Sequence, residues 1–123
     1  MSKTNNHSER NHEFLKEQLR QFATKRDWNK FHNAKNLSMA LSVEASELVE
    51  IFQWLTEKEC DNLSEKQLIK VELELADIFL YLLRISDVVN IDLFDAANKK
   101  LLLNEEKYPI KESFGNATKY SDR

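Results

Sequence analysis

The sequence holds one glycine, one proline and one cysteine among 123 residues. Glycine and proline punctuate turns, and sheets need many turns, so their scarcity argues against a β-rich fold and for a few long helices joined by polar loops. Cys60 alone cannot close an internal disulfide, which suits a reducing compartment and leads us to expect a cytoplasmic protein. No apolar run reaches the roughly 18–20 residues that span a bilayer, and residues 1–10 lack the apolar stretch of a secretion signal. No membrane partner is expected. A formal net charge of −3 provides no general basic field for a nucleic-acid polymer. There is no glycine-rich phosphate loop, and one cysteine with three scattered histidines cannot supply a zinc site. Any phosphate must therefore be met by metal ions and side-chain cations.

What is present is globular in balance, at 41% hydrophobic and 32% charged. Apolar periodicity predicts helices over 11–25, 38–55, 64–89 and 92–107, with 1–10 as a flexible leader and 110–123 as an extended tail. The start signals are Ser38, the capping box of Ser64 with Gln67, and Asp92; Asn90 and Pro109 are the stops. The expectation is an all-α fold, a four-helix bundle over 11–109. The third helix is apolar nearly all round: Leu68, Val71, Leu75, Ile78, Leu82 and Ile85 make one seam, and Leu73, Ala76, Phe79, Leu80 and Leu83 cover the other side. Such a helix needs burial from several directions, and a domain this small buries only roughly 65% of its unfolded surface. A homo-oligomer is expected.

The second helix carries acids in an unusual place. Leu41, Ala45, Leu48, Phe52 and Leu55 define its core stripe, and Glu44 falls between Leu48 and Ile51 on the apolar face, with Glu47 one turn away. Desolvated carboxylates so close together repel unless a positive charge stands between them, and Mg²⁺ is a hard cation that takes oxygen ligands. The third helix offers a second pair at the same spacing, Glu74 and Asp77. Facing each other, the two pairs can hold one or two Mg²⁺ ions, which in turn can bind a polyphosphate. A solvated strip shared with Lys70 and Arg84 is the plainer account of Glu74 and Asp77. Glu50 sits at the boundary of the seam and stays open as an occasional ligand or base. Trp28 and His32 lie in a polar connector and Trp54 at a helix end, where aromatic rings suit a stacked base. The alternative for all three is packing on the core.

The segments Arg26-Asp-Trp-Asn-Lys-Phe-His32, Asn36-Leu-Ser-Met-Ala-Leu-Ser-Val-Glu-Ala-Ser-Glu-Leu-Val-Glu-Ile-Phe-Gln-Trp54 and Glu74-Leu-Ala-Asp-Ile-Phe-Leu-Tyr81 resemble the MazG-like nucleotide pyrophosphohydrolases. The small dCTP pyrophosphatase type is the most similar branch. The resemblance implies a homotetramer, a dimer of dimers, that hydrolyses a nucleoside triphosphate to the monophosphate and pyrophosphate in nucleotide-pool house-cleaning. It implies Mg²⁺, with Mn²⁺ able to substitute, on Glu44, Glu47, Glu74 and Asp77. On chemical grounds the candidate general base is a carboxylate not fully used in coordination, Glu47 or another. By the resemblance, Trp28, His32 and Trp54 would line the base pocket, and Tyr81, Lys100 and Asn104 would meet sugar or phosphates. Lys107 stands where many relatives carry arginine, and lysine meets phosphate as a point charge without a bidentate fork. The competing expectation is a non-enzymatic helical oligomerisation or adaptor domain. It accounts for the third helix but not for acids on the seam of the second.

Overall fold

The computed structural model describes residues 3–122, and these are helical with no strand. The long helices are α1 (Lys3–Lys25), α2 (Ala34–Phe52), α4 (Glu65–Val88) and α5 (Leu93–Lys107); α3 (Glu57–Cys60) and α6 (Ile110–Ser113) are single turns. Two compact units divide the chain, Met1–Asn90 and Ile91–Arg123.

The first unit is built on α4, which packs chiefly along α2 and also on α1. Each of the three contributes a buried apolar side chain: Leu83 from α4, Leu37 from α2 and Ala23 from α1. The start of α4 is the capping box expected for it, with Gln67 N–H donating to Ser64 Oγ (3.1 Å) and Ser64 N–H to Gln67 Oε1 (2.8 Å). Beyond its end Asn90 takes the left-handed conformation at φ 62°.

Three local features differ from the sequence expectation. The first helix reaches back to Lys3, into the stretch read as leader. Ser38 does not begin α2. Asn33 does, in extended backbone, its side chain accepting from Asn36 N–H at 2.9 Å, while Ser38 Oγ donates to the Lys35 carbonyl inside the first turns. Cys60 lies in α3 rather than in a loop, because Thr56 and Glu59 form a second reciprocal capping box. A single apolar-poor turn gives no periodicity to read, so only its cap announces it.

In the second unit Asp92 caps α5 by accepting from Asp95 N–H at 3.0 Å, and the helix ends at Lys107, two residues before Pro109. The region beyond Pro109, expected to be extended, contains α6 and a short 3₁₀ turn at Tyr120–Asp122.

Candidate active site

The α-helical period brings the acids of α2 onto those of α4. Carboxylate oxygens of Glu44, Glu74 and Asp77 lie within 4.8 Å of one another. Glu44 Oε2 and Glu74 Oε2 are buried and have no hydrogen-bond partner. At an effective dielectric of about 20, two unit charges 4.8 Å apart repel by about 3.5 kcal/mol. That is comparable to a strong buried interaction, so the cluster does not remain fully ionised and empty of positive charge. The Glu44 carboxyl is accordingly pushed up to about 7, first by its contact with Glu74, then by burial, then by Glu47 and the charge of Asp77. Two orphaned oxygens facing a third carboxylate are the donor set that a hard divalent cation completes.

Glu47 stands beside this trio rather than in it. It lines a polar recess of about 400 Å³ with Glu50, Ile51, Lys70 and Glu74. Lys70 thus lies beside Glu47 and Glu74, while Arg84 lines a different cleft with Asp77.

Asp77 also borders a second, larger cleft of about 500 Å³, whose walls include Leu19, Phe22, Trp28, His32, Leu80, Tyr81 and Arg84. Asp77, Tyr81 and Arg84 follow one face of α4 at helical spacing. The connector reaches the cleft because the chain reverses after α1. Asp27 adopts φ 56°, its N–H bonds to the Thr24 carbonyl (3.1 Å), and Trp28 N–H bonds to the Ala23 carbonyl (2.8 Å). Trp28 then meets Phe22 edge-on, with centroids 5.6 Å apart, and lies 6.1 Å from the His32 ring. Trp28 and His32, two of the three residues expected at a base pocket, therefore share one cleft with Tyr81, which was expected at the sugar or phosphates.

Arg84 is the residue that sequence reading missed. It is buried, and donates from Nε to His32 Nδ1 (3.1 Å) and from Nη2 to Asn29 Oδ1 (2.8 Å). Asp87 faces it at 3.5 Å and is held in turn by both arms of Arg20, at 2.6 and 2.7 Å. The Arg20 bond keeps the Asp87 carboxyl below its ordinary value despite burial. Burial, and then the charge of Arg84, lowers the His32 imidazole below its ordinary 6.5. The signal was available: Arg84 is a charge set among Leu80, Leu82, Leu83 and Ile85 on α4, much as Glu44 stands among apolar residues on α2.

The remaining expected residues lie elsewhere. Trp54 is 86% exposed beyond the end of α2 and does not line the cleft. Lys100, Asn104 and Lys107 follow one another along α5 in the second unit. There the Lys100 amine approaches that of Lys107, and this contact lowers its pKa. Two amines in contact suit a shared anion.

The comparisons agree with one another. The dCTP pyrophosphatase 1 of Mus musculus is 36% identical over 104 residues, covering 83% of this chain and 61% of the relative. Its Bos taurus counterpart is 38% identical over 104 residues, with 83% and 62% covered. The chain thus spans about 61% of the length of the curated relatives it matches. A crystal structure of a pyrophosphatase from Archaeoglobus fulgidus DSM 4304 superposes with a TM-score of 0.75 at 42% identity, covering 79% of this chain and 91% of that one. The MazG-like family model matches residues 39–122, which include the three clustered acids, Glu47 beside them and the α5 lysines, and on these grounds the chain belongs to the MazG-like family.

Proposed function

We propose that this protein is a hydrolase that cleaves a nucleoside triphosphate, with dCTP or a modified cytidine nucleotide as the preferred substrate, to the monophosphate and pyrophosphate. The observation that carries the reading is the continuity of the two sites. Asp77 belongs both to the acidic cluster and to the wall of the aromatic cleft. A base in the cleft would therefore leave its phosphates beside the carboxylates. The names of the dCTP pyrophosphatase relatives and of the archaeal pyrophosphatase support the same chemistry.

Glu44, Glu74 and Asp77, with Glu47 alongside, fit Mg²⁺, and Mn²⁺ as a substitute, because two of their buried oxygens lack any other partner. When bound, the metal supplies neutralisation of phosphate oxygens and a more acidic water. Glu47, outside the trio and bordering open space, accepts the proton of the water that attacks the α-phosphorus in line. Trp28 and Tyr81 offer ring surfaces to the base, and His32 a polar contact to its edge. Lys100 and Lys107, with Asn104 between them on α5, are cations of the kind that offset charge on a phosphate group. A homotetramer, a dimer of dimers, would cover the exposed faces of Leu68, Leu73 and Leu75 on α4 and give Trp54 a partner surface. Among the described residues no helix is long and apolar enough to cross a membrane, and the free thiol of Cys60 is compatible with the cytoplasm. A purely oligomeric adaptor accounts for the exposed apolar faces of α4 but leaves the partnerless buried oxygen of Glu44 on α2 without a purpose.

The deciding experiment is pyrophosphate release from the canonical dNTPs and NTPs and from modified cytidine triphosphates, with Mg²⁺ and with EDTA. Magnesium-dependent release with a monophosphate co-product is expected, highest for the cytidine nucleotides. No release from the panel by folded protein would favour the adaptor.

A further inference from the structure

Arg84 lines the cleft but directs its hydrogen bonds to the protein. Each of its guanidinium nitrogens has a protein partner: Nε has His32 Nδ1, Nη2 has Asn29 Oδ1 and Nη1 has Asp87 Oδ2. Asp87 is locked from its other side by Arg20. The guanidinium is buried within this set. It is a clamp between α4, α1 and the connector, and a poor candidate for a phosphate ligand.

The clamp has a chemical consequence at His32. An arginine Nε always carries a hydrogen, so His32 Nδ1 must be the acceptor in their 3.1 Å bond. A neutral imidazole that accepts at Nδ1 carries its proton on Nε2. An imidazolium would set one N–H against another and bring a second positive charge onto Arg84. The other titratable groups on the cleft wall are Asp77 and Tyr81, both from α4. We propose that Arg84 is a positioning residue that sets the hydrogen-bond polarity of the cleft: by fixing His32 as the Nε2–H tautomer, it makes the ring a donor to an acceptor atom, a ring nitrogen or carbonyl, of a pyrimidine base. This rests on the reading of the cleft as the base site. The base is the recipient, rather than a phosphate, because the walls include Leu19, Phe22, Trp28 and Leu80 with a carboxylate at Asp77, and the cation among them, Arg84, is engaged by His32, Asn29 and Asp87. Apolar and aromatic walls beside an acid favour a flat neutral ring over an anion.

The test combines a spectroscopic and a kinetic measurement. Nitrogen-15 NMR of the imidazoles at neutral pH is expected to show His32 of the intact protein as the Nε2–H tautomer and to show mixed tautomers in Arg84→Met. The same variant is expected to raise KM for dCTP about tenfold while changing kcat less than twofold. In a His32→Ala background, adding Arg84→Met is expected to change KM less than twofold. Competitive inhibition by deoxycytidine should weaken with KM, and inhibition by pyrophosphate should not. Where Arg84→Met does not fold, Arg84→Lys, which keeps the charge but not the Nε geometry, is read by the same criteria. An unchanged tautomer in the variant, or an equal KM effect in the His32→Ala background, overturns the proposal. Weakened pyrophosphate inhibition with unchanged deoxycytidine inhibition overturns the assignment to the base. The NMR measurement needs no turnover, so an intact protein that shows the tautomer but releases no pyrophosphate refutes the hydrolase reading on separate grounds.

Discussion

At the scale of single residues, Glu44 shows a conflict between stability and function. Its carboxyl is pushed up to about 7 by Glu74, burial and Glu47, so in the absence of metal the folded chain near neutral pH relieves the repulsion only in part, by protonation. Glu44→Gln removes a charge while keeping the shape. The metal-free variant is expected to melt at or above the temperature of the parent, by up to about 1 kcal/mol of added stability. With metal the order should reverse. A cation at a hundredfold excess over its Kd stabilises the native state by about 2.7 kcal/mol, and the variant should lose most of that gain together with turnover. Thermal melts with and without MgCl₂ check it; wild-type turnover with an undiminished magnesium shift would remove Glu44 from the metal site. This residue was legible in the sequence because helical geometry puts it among Leu48 and Ile51, where a charge has no ordinary reason to be. Arg84 was equally anomalous, but its partners Asn29 and His32 come from a connector whose reversal at Asp27 depends on a left-handed residue that is not glycine. Nothing in the periodicity of α4 indicates where that connector returns.

At the scale of elements, what could be read from sequence was what is encoded locally. The start of α4 at Ser64 was readable because cap and partner stand three residues apart and an apolar helix follows. Ser64→Ala is expected to cost about 1 kcal/mol in urea unfolding, with unchanged KM, because the cap lies far along α4 from Asp77 and Tyr81. A loss in kcat/KM larger than the loss of folded protein would tie the cap to the site. The start of α2 was misplaced because Asn33 and Ser38 are both good caps, and Asn36, which donates to Asn33 and to the Phe31 carbonyl, decides between them. The junction of α1, α4 and the connector has its own signature in pH. His32 has a lowered folded value, so the unfolded chain binds the extra proton and stability falls as pH drops below 6.5 toward that lower value. Asp87 is also lowered, so its ion pair with Arg20 is present above the ordinary 3.8 and is lost as pH falls through its folded value. Glu44, raised to about 7, works the other way and adds stability as pH falls below that value. The test is therefore made in a Glu44→Gln background, where urea midpoints measured against pH should decline in two acid steps. His32→Gln added to it should abolish the upper step and keep the lower; a single step without it, or an upper step surviving with it, would contradict the network.

At the scale of the whole molecule, the apolar surface is out of proportion to what one chain covers. On α4, Leu73 is 61% exposed, and on α5 Leu102 is 62% exposed. Only Ala23, Leu37 and Leu83 are buried as apolar core among the described residues. Burial at about 25 cal/mol per Å² is the main favourable term in folding, and so much wet aliphatic surface is surface whose covering by association would add stability. The sequence pointed to this through a helix with no polar face, but a single chain does not specify which faces pair or how many copies meet. We expect sedimentation of the full chain to give an assembly larger than a monomer, a tetramer on the family reading. Its melting temperature should rise with protein concentration, because association and folding are then linked. Leu73→Glu sets a charge into the face to be covered and is expected to shift the assembly toward smaller species with a lower melting temperature. A monomeric parent with a concentration-independent melt would leave the exposed leucines of α4 to a different protein. Trp54 reports on the same question from a second position. At 86% exposure its fluorescence should move to shorter wavelength as concentration drives assembly, and should stay that of a solvated indole if the end of α2 lies outside every interface.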